Sequence, residues 1–251
     1  MRSESSADQA VGLVLAGLIG GLWLCTLVFG LHLQSYGANG VLAFGLVLVR
    51  TFVHTGLFII AHDSMHGSLV PSCQQKNRFI GQIALMLYAG LSYQACMHHH
   101  RMHHLKAESS DDPDFHLPGR GGLVVWFIRF MRSYLSMQQM IALALLWFAA
   151  AMLARILGGD PLWGVVVCCV IPLVLSSIQL FVVGTWLPHR EGVVSRQAST
   201  PRSLPLQPWI SLLACYHFGY HCEHHQCPDV PWFKLPRLRS RFNAGLSALV
   251  V

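Results

Sequence analysis

The sequence predicts an all-α integral membrane protein with four transmembrane helices. Two observations carry this prediction. Of the 251 residues, 53% are apolar and only 11% are charged, well below the charged fraction of about 25% that is usual in water-soluble domains. The apolar residues also form long uninterrupted runs, and the mean hydropathy is +0.48. Because the sequence has no internal repeat and no low-complexity linker, we expect residues 1–251 to form a single domain.

Four apolar runs are long enough to cross the hydrocarbon core of a bilayer, which takes about 20 residues in a helix. They cover residues 11–33, 41–61, 140–157 and 161–187. The first run is longer than the core of a signal peptide and lacks an A-x-A cleavage pattern. We therefore expect it to remain in the protein as a membrane helix.

A fifth apolar run, residues 79–93, is only 15 residues long and contains Gln82. This length suits a re-entrant helix or a helix that lies at the interface. A crossing here would put the histidines before and after the run on opposite sides of the membrane. We therefore predict that the run does not cross.

The distribution of Lys and Arg predicts the orientation of the chain. The long segments 62–139 and from 188 onward are rich in these residues, whereas the short turns 34–40 and 158–160 contain neither. By the positive-inside rule, both termini and every histidine cluster then face the cytoplasm, as expected for a protein of the bacterial inner membrane.

Two further segments are expected at the membrane surface. Residues 121–134 combine basic and aromatic side chains, and residues 232–241 combine Trp232 and Phe233 with four cations. The formal net charge of the chain is +6. Because the basic residues lie next to apolar runs, they favour anionic lipid headgroups of the bilayer over nucleic acid as their partner.

Arg50 and His54 are the exceptions within the second apolar run. A charge at this depth is costly unless it faces other helices or a wet cavity. Both residues share an i, i+4 row with His62 and His66, so we expect the row to face inward. Hydrogen bonding between helices is the favoured role for His54, because it lies two helical turns deeper in the membrane than His62 and is too far away to bind one metal ion together with it.

Eight of the 15 histidines form three tight clusters at the ends of the apolar runs. The clusters are His62 and His66, then His100, His103 and His104, and then His221, His224 and His225. The spacings are H-x-x-x-H once and H-x-x-H-H twice, which bring imidazoles to one face of a helix. A metal site takes three or four ligands, so eight histidines predict two ions. Imidazole suits iron, copper, nickel and zinc alike, so the spacing does not identify the metal.

These clusters complete the predicted fold class, in which four transmembrane helices and interfacial helices carry a histidine-rich di-metal site on the cytoplasmic side. The register of the second cluster is open, because His98 and His99 precede it. We favour His100 because it completes the H-x-x-H-H motif.

Two more histidines lie beside the clusters. His189 follows the fourth apolar run and is either a ninth metal ligand or a surface histidine after a helix end. His217 lies one helical turn before His221, and we expect it to hydrogen-bond a ligand instead of binding metal. Cys222 and Cys227 flank the third cluster, but we expect them to be packing residues because the histidine set is already complete.

Acidic residues are few, and several lie in or near the clusters. Asp63 and Glu223 are within clusters, and Asp111, Asp112 and Asp114 follow the second one. A metal-bound imidazole commonly donates its other N–H to a carboxylate, which is one role for these residues. For the three aspartates, a solvated turn with capping oxygens is the alternative. The sequence leaves both roles open.

The series of motifs resembles the membrane fatty-acid desaturase and hydroxylase superfamily. Within it, FIIAHDSMHG, HRMHH followed by DPDFH, WLPHRE, and FGYHCEHHQCPDVPWFKLPRL look like the bacterial-type β-carotene ketolases. The similarity covers residues 51–238. The chain departs from the family in the extra histidines of HHHRMHH and in Arg50 and His54.

The resemblance implies a non-haem di-iron oxygenase with two iron ions (Fe²⁺) on the eight clustered histidines and with O₂ as co-substrate. It implies a carotenoid substrate, oxidised twice at C4 of the β-ionone ring, so that β-carotene gives echinenone and canthaxanthin and zeaxanthin could give astaxanthin. Asp63, Asp112 and Asp114 match acidic positions of the family and are candidate catalytic residues. The sequence has no nicotinamide, flavin or haem motif, so we expect electrons from an external, ferredoxin-type donor.

Two alternatives remain. Another superfamily member, a carotenoid 3-hydroxylase or a fatty-acid desaturase, would share the histidine clusters, although the DPDFH and CPDVPWFKLP segments favour the ketolase. A membrane metal transporter would place polar ligands along the middle of its spans, where this chain has only Arg50 and His54.

Overall fold

A computed structural model describes residues 2–33, 40–107, 109–114, 122–189 and 201–248, and these residues form helices and no strand. The long and medium helices are α1 (Arg2–Leu33), α2 (Gly40–His66), α3 (Gln74–Ala89), α4 (Tyr93–Lys106), α5 (Leu123–Tyr134), α6 (Met137–Ile156) and α7 (Pro161–His189). Shorter helices follow: α8 (Pro208–Cys215), α9 (His221–Gln226), a 3₁₀ turn (Trp232–Lys234) and α10 (Leu235–Ala248).

Four helices are long and apolar enough to cross a membrane, as predicted: α1, α2, α6 and α7. All four helices extend past the predicted apolar runs: α1 begins at Arg2 and α6 at Met137, whereas α2 continues to His66 and α7 to His189. The residues added at the ends of α2 and α7 are mainly polar, but in the fold they are mostly buried, so these helices do not end where hydrophobicity ends. The histidines of both helices therefore lie on the final turns of membrane helices.

The four helices run alternately up and down, and their ends meet at two levels. At one level, the His32 ring N–H donates to the Leu157 carbonyl over 2.6 Å, joining the end of α1 to the end of α6. At the other level, the Ser72 hydroxyl donates to Gln9 over 2.6 Å. Residues 34–39 of the predicted first turn lie outside the described residues. All the histidine clusters belong to the second level.

Helices α3 and α4 form a bent pair with an angle of 99° between them. The bend lies at Gly90, whose φ of +66° is a left-handed conformation that glycine adopts at little cost. His66 precedes the pair and His100 lies in its second helix, and their Nε2 atoms are only 2.7 Å apart, so the pair re-enters and brings the chain back to the same end. The predicted limits 79–93 were wrong: the helix spans Gln74–Ala89, and Tyr93 begins the next one.

The inward row of α2 is confirmed, since Arg50 and His54 are 1% and 4% exposed. Arg50 donates from Nε to the Cys168 carbonyl over 2.6 Å, within a π-helical segment of α7 (Val166–Val170), and from Nη1 to the Trp23 carbonyl over 2.9 Å. His54 accepts a hydrogen bond from Trp23 Nε1 over 3.0 Å. Arg50 therefore joins α2 to α1 and α7, and His54 joins α2 to α1, which is the structural role expected of His54.

A second π-helical segment, Phe181–Trp186, lies shortly before the end of α7. A π-helical turn contains one residue more than an α-helical turn and is frequent next to functional sites. Phe181 is buried here and packs against Phe127 and Phe130 of α5, with ring centroids 5.2 and 5.3 Å apart. Helix α5 thus covers the end of α7.

The two predicted surface segments differ from each other. Helix α5 exposes an apolar edge, including Val124 at 67%, as an interfacial helix would; Gly121 lies outside the described residues. The segment 232–241 is not only a surface anchor. Its Trp232 backbone N–H donates to Asp63 over 3.1 Å, and Arg239 donates to Glu223 over 3.0 Å, because buried carboxylates nearby need partners.

The contact of α3 with α2 and α4 depends on Gly81. A Cβ atom at this position would overlap the Ser64 hydroxyl and the Tyr93 ring, whereas a Cβ at Gly17 would meet nothing within 4 Å. We expect Gly81→Ala to lower the melting temperature of the detergent-solubilised protein, because overpacking costs about 1–3 kcal/mol. The control Gly17→Ala should leave it unchanged or higher. Equal melting temperatures for the two variants would contradict this packing.

Candidate metal centre

Four helix ends bring nine histidines into one buried space. Each helix carries its imidazoles at a spacing of three or four residues, so that they share a face. The contributions are His62 and His66 from α2, His100, His103 and His104 from α4, His189 from α7, and His221, His224 and His225 from α9. The structure therefore brings together the eight clustered histidines and also His189.

The nine imidazoles divide into two groups, in each of which the facing ring nitrogens lie within 4.8 Å of one another. The first group contains His62, His66, His100, His104 and His224. Within it, His224 Nε2 is 3.2 Å from His62 Nε2 and 3.0 Å from His104 Nε2. All these Nε2 atoms thus converge on one point.

The second group contains His103, His189, His221 and His225. The His221 Nε2 atom is 3.0 Å from that of His189 and 3.1 Å from that of His225, which in turn is 3.1 Å from His103 Nε2. The groups adjoin, because the His104 and His225 rings stack with centroids 4.2 Å apart. Each H-x-x-H-H motif therefore serves both groups.

These separations fit metal ligation. A metal–imidazole bond is about 2.1 Å, so two nitrogens at a right angle around one ion lie about 3.0 Å apart. The observed Nε2 separations run from 2.7 to 3.2 Å. Five and four imidazoles around two points are a donor set for a pair of ions, and that these residues bind metal stays a prediction.

The protonation state of the imidazoles suits this role. Burial lowers the pKa of His104 to about 3, with His66 and His103 as further causes. Burial, followed by the neighbouring imidazoles, also holds the pKa of His221 and His224 well below the usual value. These three rings are therefore neutral near pH 7, which leaves one nitrogen lone pair on each free to bind a metal.

Asp112 orients one of the rings. His103 Nδ1 lies 2.9 and 3.1 Å from the two carboxylate oxygens of Asp112, so Nδ1 carries the proton and Nε2 faces the second group. A carboxylate in this position raises the basicity of a metal-binding imidazole. The Asp114 backbone N–H donates to Asp112 over 2.9 Å and holds the carboxylate in turn. Asp112 is buried and Asp111 is exposed. Of the two roles left open for this segment, Asp112 therefore has that of a partner for an imidazole, whereas Asp111 lies in a solvated turn.

Asp114 and Asp63 are also buried beside the histidines. The Asp114 carboxylate lies 3.8 Å from His103 Nδ1, and burial raises the pKa of Asp114. Asp63 lies 3.6 Å from His62 Nδ1, which is too long for a hydrogen bond, and it accepts one from the Trp232 backbone N–H. Its observed contact therefore joins the C-terminal segment to α2.

The two residues expected to support ligands lie elsewhere. Glu223 accepts hydrogen bonds from Ser203 and Arg239 and makes no described contact with an imidazole, because its side chain leaves α9 on the side opposite the histidines. His217 has a φ of +66° and stacks on Tyr220 and Trp232, with centroids 5.6 and 6.1 Å apart. Neither belongs to the described histidine groups.

The register of the second cluster is the favoured one, since His100 and not His99 meets His66. His99 points the other way and lies 3.2 Å from the Tyr134 hydroxyl. Cys222 and Cys227 are outside both groups. Of the motif residues, Phe115, His116, Arg190 and Glu191 lie outside the described part of the chain.

An apolar cavity of about 170 Å³ adjoins the imidazoles. His62, His100, His103 and His221 form its histidine wall, and Phe58, Leu180 and Phe218 are among its apolar residues. A dry cavity of about 150 Å³ holds one benzene molecule. This cavity therefore has room for a single six-membered ring beside the histidines.

A second cavity of about 200 Å³ adjoins the first and lies in the membrane-spanning part of the bundle. The two share Tyr88, Leu143 and Leu173 as lining residues. One face of α6 lines both, from Gln139 to Leu153, which spans about 21 Å at 1.5 Å per residue. We call this pair of cavities behind α6 the slot.

Sequence reasoning did not find the residues by which α6 lines the slot. Gln139 and Leu143 belong to the start of the third transmembrane helix, in a stretch that reads as ordinary membrane-facing sequence. The one available signal was Gln139 itself, a polar residue directly before an apolar run. Of the 20 residues of α6, only Gln139, Ala150 and Ala154 are buried.

Comparison with known proteins shows which family the sequence is similar to. The sequence model of the family "Fatty acid desaturase" matches residues 38–138 and 123–248. A "Beta-carotene ketolase" of Paracoccus sp. is 42% identical over 234 residues, which cover 92% of this chain and 93% of that protein. A "Beta-carotene ketolase" of Paracoccus sp. strain PC1 is 42% identical over 237 residues, 94% of this chain and 95% of that protein. A "Zeaxanthin 4-ketolase" of Chlamydomonas reinhardtii is 36% identical over 226 residues, 87% of this chain and 49% of that protein.

The contact between Asp112 and His103 can be tested directly. We expect Asp112→Asn to weaken metal binding about 10- to 100-fold, because the ring of His103 loses its charged partner. Asp111→Asn is a matched control, since Asp111 is exposed and next in sequence. Metal content after dialysis against graded chelator concentrations measures the effect. Equal retention of metal by the two variants would contradict the role of Asp112.

Proposed function

The chain belongs to the fatty acid desaturase family, on its β-carotene ketolase branch, and from this premise we propose that it is an oxygenase that introduces a keto group at C4 of the β-ionone ring of carotenoids. The observation that carries the proposal is the convergence of nine imidazoles beside an apolar, ring-sized cavity that continues between membrane helices.

We propose two iron ions as the metals. His62, His66, His100, His104 and His224 would hold one, and His103, His189, His221 and His225 the other. Iron is chosen through the family, since imidazole alone accepts several metals. When bound, the irons supply the activation of O₂ that breaking an allylic C–H bond requires, because no side chain is a sufficient oxidant.

The residues of the slot position the substrate. In this proposal the end ring lies in the first cavity, against His100 and His103, and the conjugated chain runs along α6 into the second cavity. Both cavities are lined mainly by apolar side chains, which suits a rigid hydrocarbon and excludes water from the reacting carbon. A carotenoid dissolved in the bilayer could reach the slot without leaving the apolar phase.

The proposed chemistry is two successive hydroxylations at one carbon. Each consumes one O₂, two electrons and two protons, inserts one oxygen atom into a C–H bond and releases one water. The second gives a hydrated ketone, which loses water to become the ketone. In this scheme β-carotene gives echinenone and then canthaxanthin, and zeaxanthin gives astaxanthin.

Three aspartates have distinct parts in the proposal. Asp112 holds the proton at His103 Nδ1 so that Nε2 stays free for metal. Asp114 lines the ring cavity, and because burial raises its pKa, its carboxyl group can retain a proton and deliver it at the cavity wall. Asp63 fixes the segment that begins at Trp232 against α2.

We propose that the site lies on the cytoplasmic side of a bacterial inner membrane, which the distribution of Lys and Arg supports. A ferredoxin-type protein is the proposed electron donor. Arg101 and Lys106 are exposed on α4, on the helix that carries three of the imidazoles, and could attract an acidic partner.

Expression in cells that accumulate β-carotene tests the proposed activity. We expect pigment chromatography to find keto-carotenoids with the wild type and none with His103→Ala, because that variant loses an imidazole of the second group. His98→Ala is the matched control, since His98 is exposed on the same helix, and it should remain active. Unchanged pigments with a folded, iron-loaded wild type would contradict ketolation.

The slot gives a second test. Leu143 lies where the two cavities meet, so we expect Leu143→Trp to reduce conversion of β-carotene at least about tenfold by filling the junction. Iron content should not change, because Leu143 is absent from both histidine groups. The control Met140→Trp adds the same side chain at a position that is 53% exposed. Equal conversion by both variants would exclude the slot as the binding site.

A further inference from the structure

Gln139 is a buried polar residue on the wall of the ring cavity. Its Nε2 donates a hydrogen bond to the Ala89 carbonyl over 2.7 Å, which joins the first turn of α6 to the end of α3. This contact identifies the two ends of the amide, because only the nitrogen can donate to a carbonyl oxygen. The remaining polar atom of the Gln139 side-chain amide is therefore the oxygen, Oε1.

Gln139 Oε1 is buried and has no hydrogen-bond partner among the described residues. A buried acceptor that lacks a partner costs about 1–3 kcal/mol, so such atoms are rare and call for an explanation. The hydroxyl-bearing residues of the same cavity are Tyr88, Tyr134, Ser177 and Thr185, and none of them donates to Oε1. A donor on the molecule that occupies the cavity would remove this cost.

We propose that Gln139 Oε1 accepts a hydrogen bond from a hydroxyl group on the end ring of the bound carotenoid, which makes Gln139 a specificity-determining residue. The inference rests on the proposed function, since it assumes that a carotenoid ring enters the cavity. A hydrocarbon ring leaves Oε1 unpaired, whereas a hydroxylated ring satisfies it. A buried group of this kind discriminates against an analogue that lacks the matching donor.

The hydroxyl can come from two sources with the same chemistry. It is either already present on the substrate, at the ring carbon next to the one oxidised, or introduced by the first of the two hydroxylations. In the first case Gln139 favours rings that carry a hydroxyl before the reaction. In the second it holds the half-oxidised ring for the second step.

A carotenoid with one hydroxylated and one plain end ring, β-cryptoxanthin, distinguishes these sources, because both rings compete within one molecule. If the hydroxyl belongs to the substrate, the purified wild type in lipid vesicles, supplied with O₂ and a reduced ferredoxin-type donor, oxidises the hydroxylated ring first, by up to about tenfold, the value of one hydrogen bond. Gln139→Leu should then lose this preference. The control Gln138→Leu, an exposed neighbour, should keep it.

If the hydroxyl is the one introduced, wild type and Gln139→Leu show the same ring preference with β-cryptoxanthin. With β-carotene, Gln139→Leu then releases 4-hydroxy product that wild type and Gln138→Leu carry on to the ketone. Either pattern supports the proposal. An unchanged ring preference together with unchanged release of 4-hydroxy product overturns it.

The variant also loses the bond to Ala89, so folding needs its own measurement. Melting temperature and iron content identify a Gln139→Leu protein that has not folded. In that case the wild type decides through binding of zeaxanthin, 4-hydroxy-β-carotene and β-carotene to the metal-free protein in nanodiscs. Tighter binding of either hydroxylated carotenoid than of β-carotene supports the inference, and equal affinity for all three overturns it. A wild type that oxidises no carotenoid at all instead removes the proposed function.

Discussion

The convergence of nine imidazoles on two points constrains the rest of the structure. Their Nε2 atoms approach to about 3 Å, which requires four helices to end at one level of the bundle. It also requires α3 and α4 to turn back at Gly90, because a straight crossing would separate His66 from His100. Burial lowers the pKa of His104, His221 and His224, so these rings can approach one another without the repulsion that protonated imidazoles would create.

The polar groups around this centre are held by partners from distant parts of the chain. Asp63 binds the backbone of Trp232, Glu223 binds Arg239, and Asp112 binds His103. Each contact satisfies a buried carboxylate and also fixes a segment against its neighbour. Deeper in the bundle, the buried Arg50 guanidinium donates to backbone carbonyls of α1 and α7 and so holds both helices against α2. These contacts make the helix ends rigid enough to position a metal-binding set.

The sequence was sufficient for the four long helices and for the meeting of the histidine clusters, because hydrophobic length and helical spacing are local properties. It was insufficient where a partner comes from elsewhere in the fold. Glu223 reads as part of a histidine motif, yet its partner is Arg239, and the residues next to Asp112 gave no sign that it would hydrogen-bond His103 while Asp111 stays exposed. The slot exists because few side chains of α6 are buried against the other helices. The sequence of α6 does not predict this loose packing. Metal ligation itself stays a prediction.

The two π-helical segments of α7 have a consequence for how this chain tolerates changes in length. An α-helix turns by about 100° per residue, but a π-helical turn takes up one extra residue, so the side chains after it keep the phase of a regular helix that is one residue shorter. His189 follows the segment Phe181–Trp186 by three residues, and Gly184 and Thr185 of that segment line the ring cavity. Deleting one residue there would restore regular winding and keep His189 facing His221, whereas deleting one from a regular turn of α7 would rotate His189 by about 100°. The π-helical segments are thus the places where α7 can lose a residue without displacing His189.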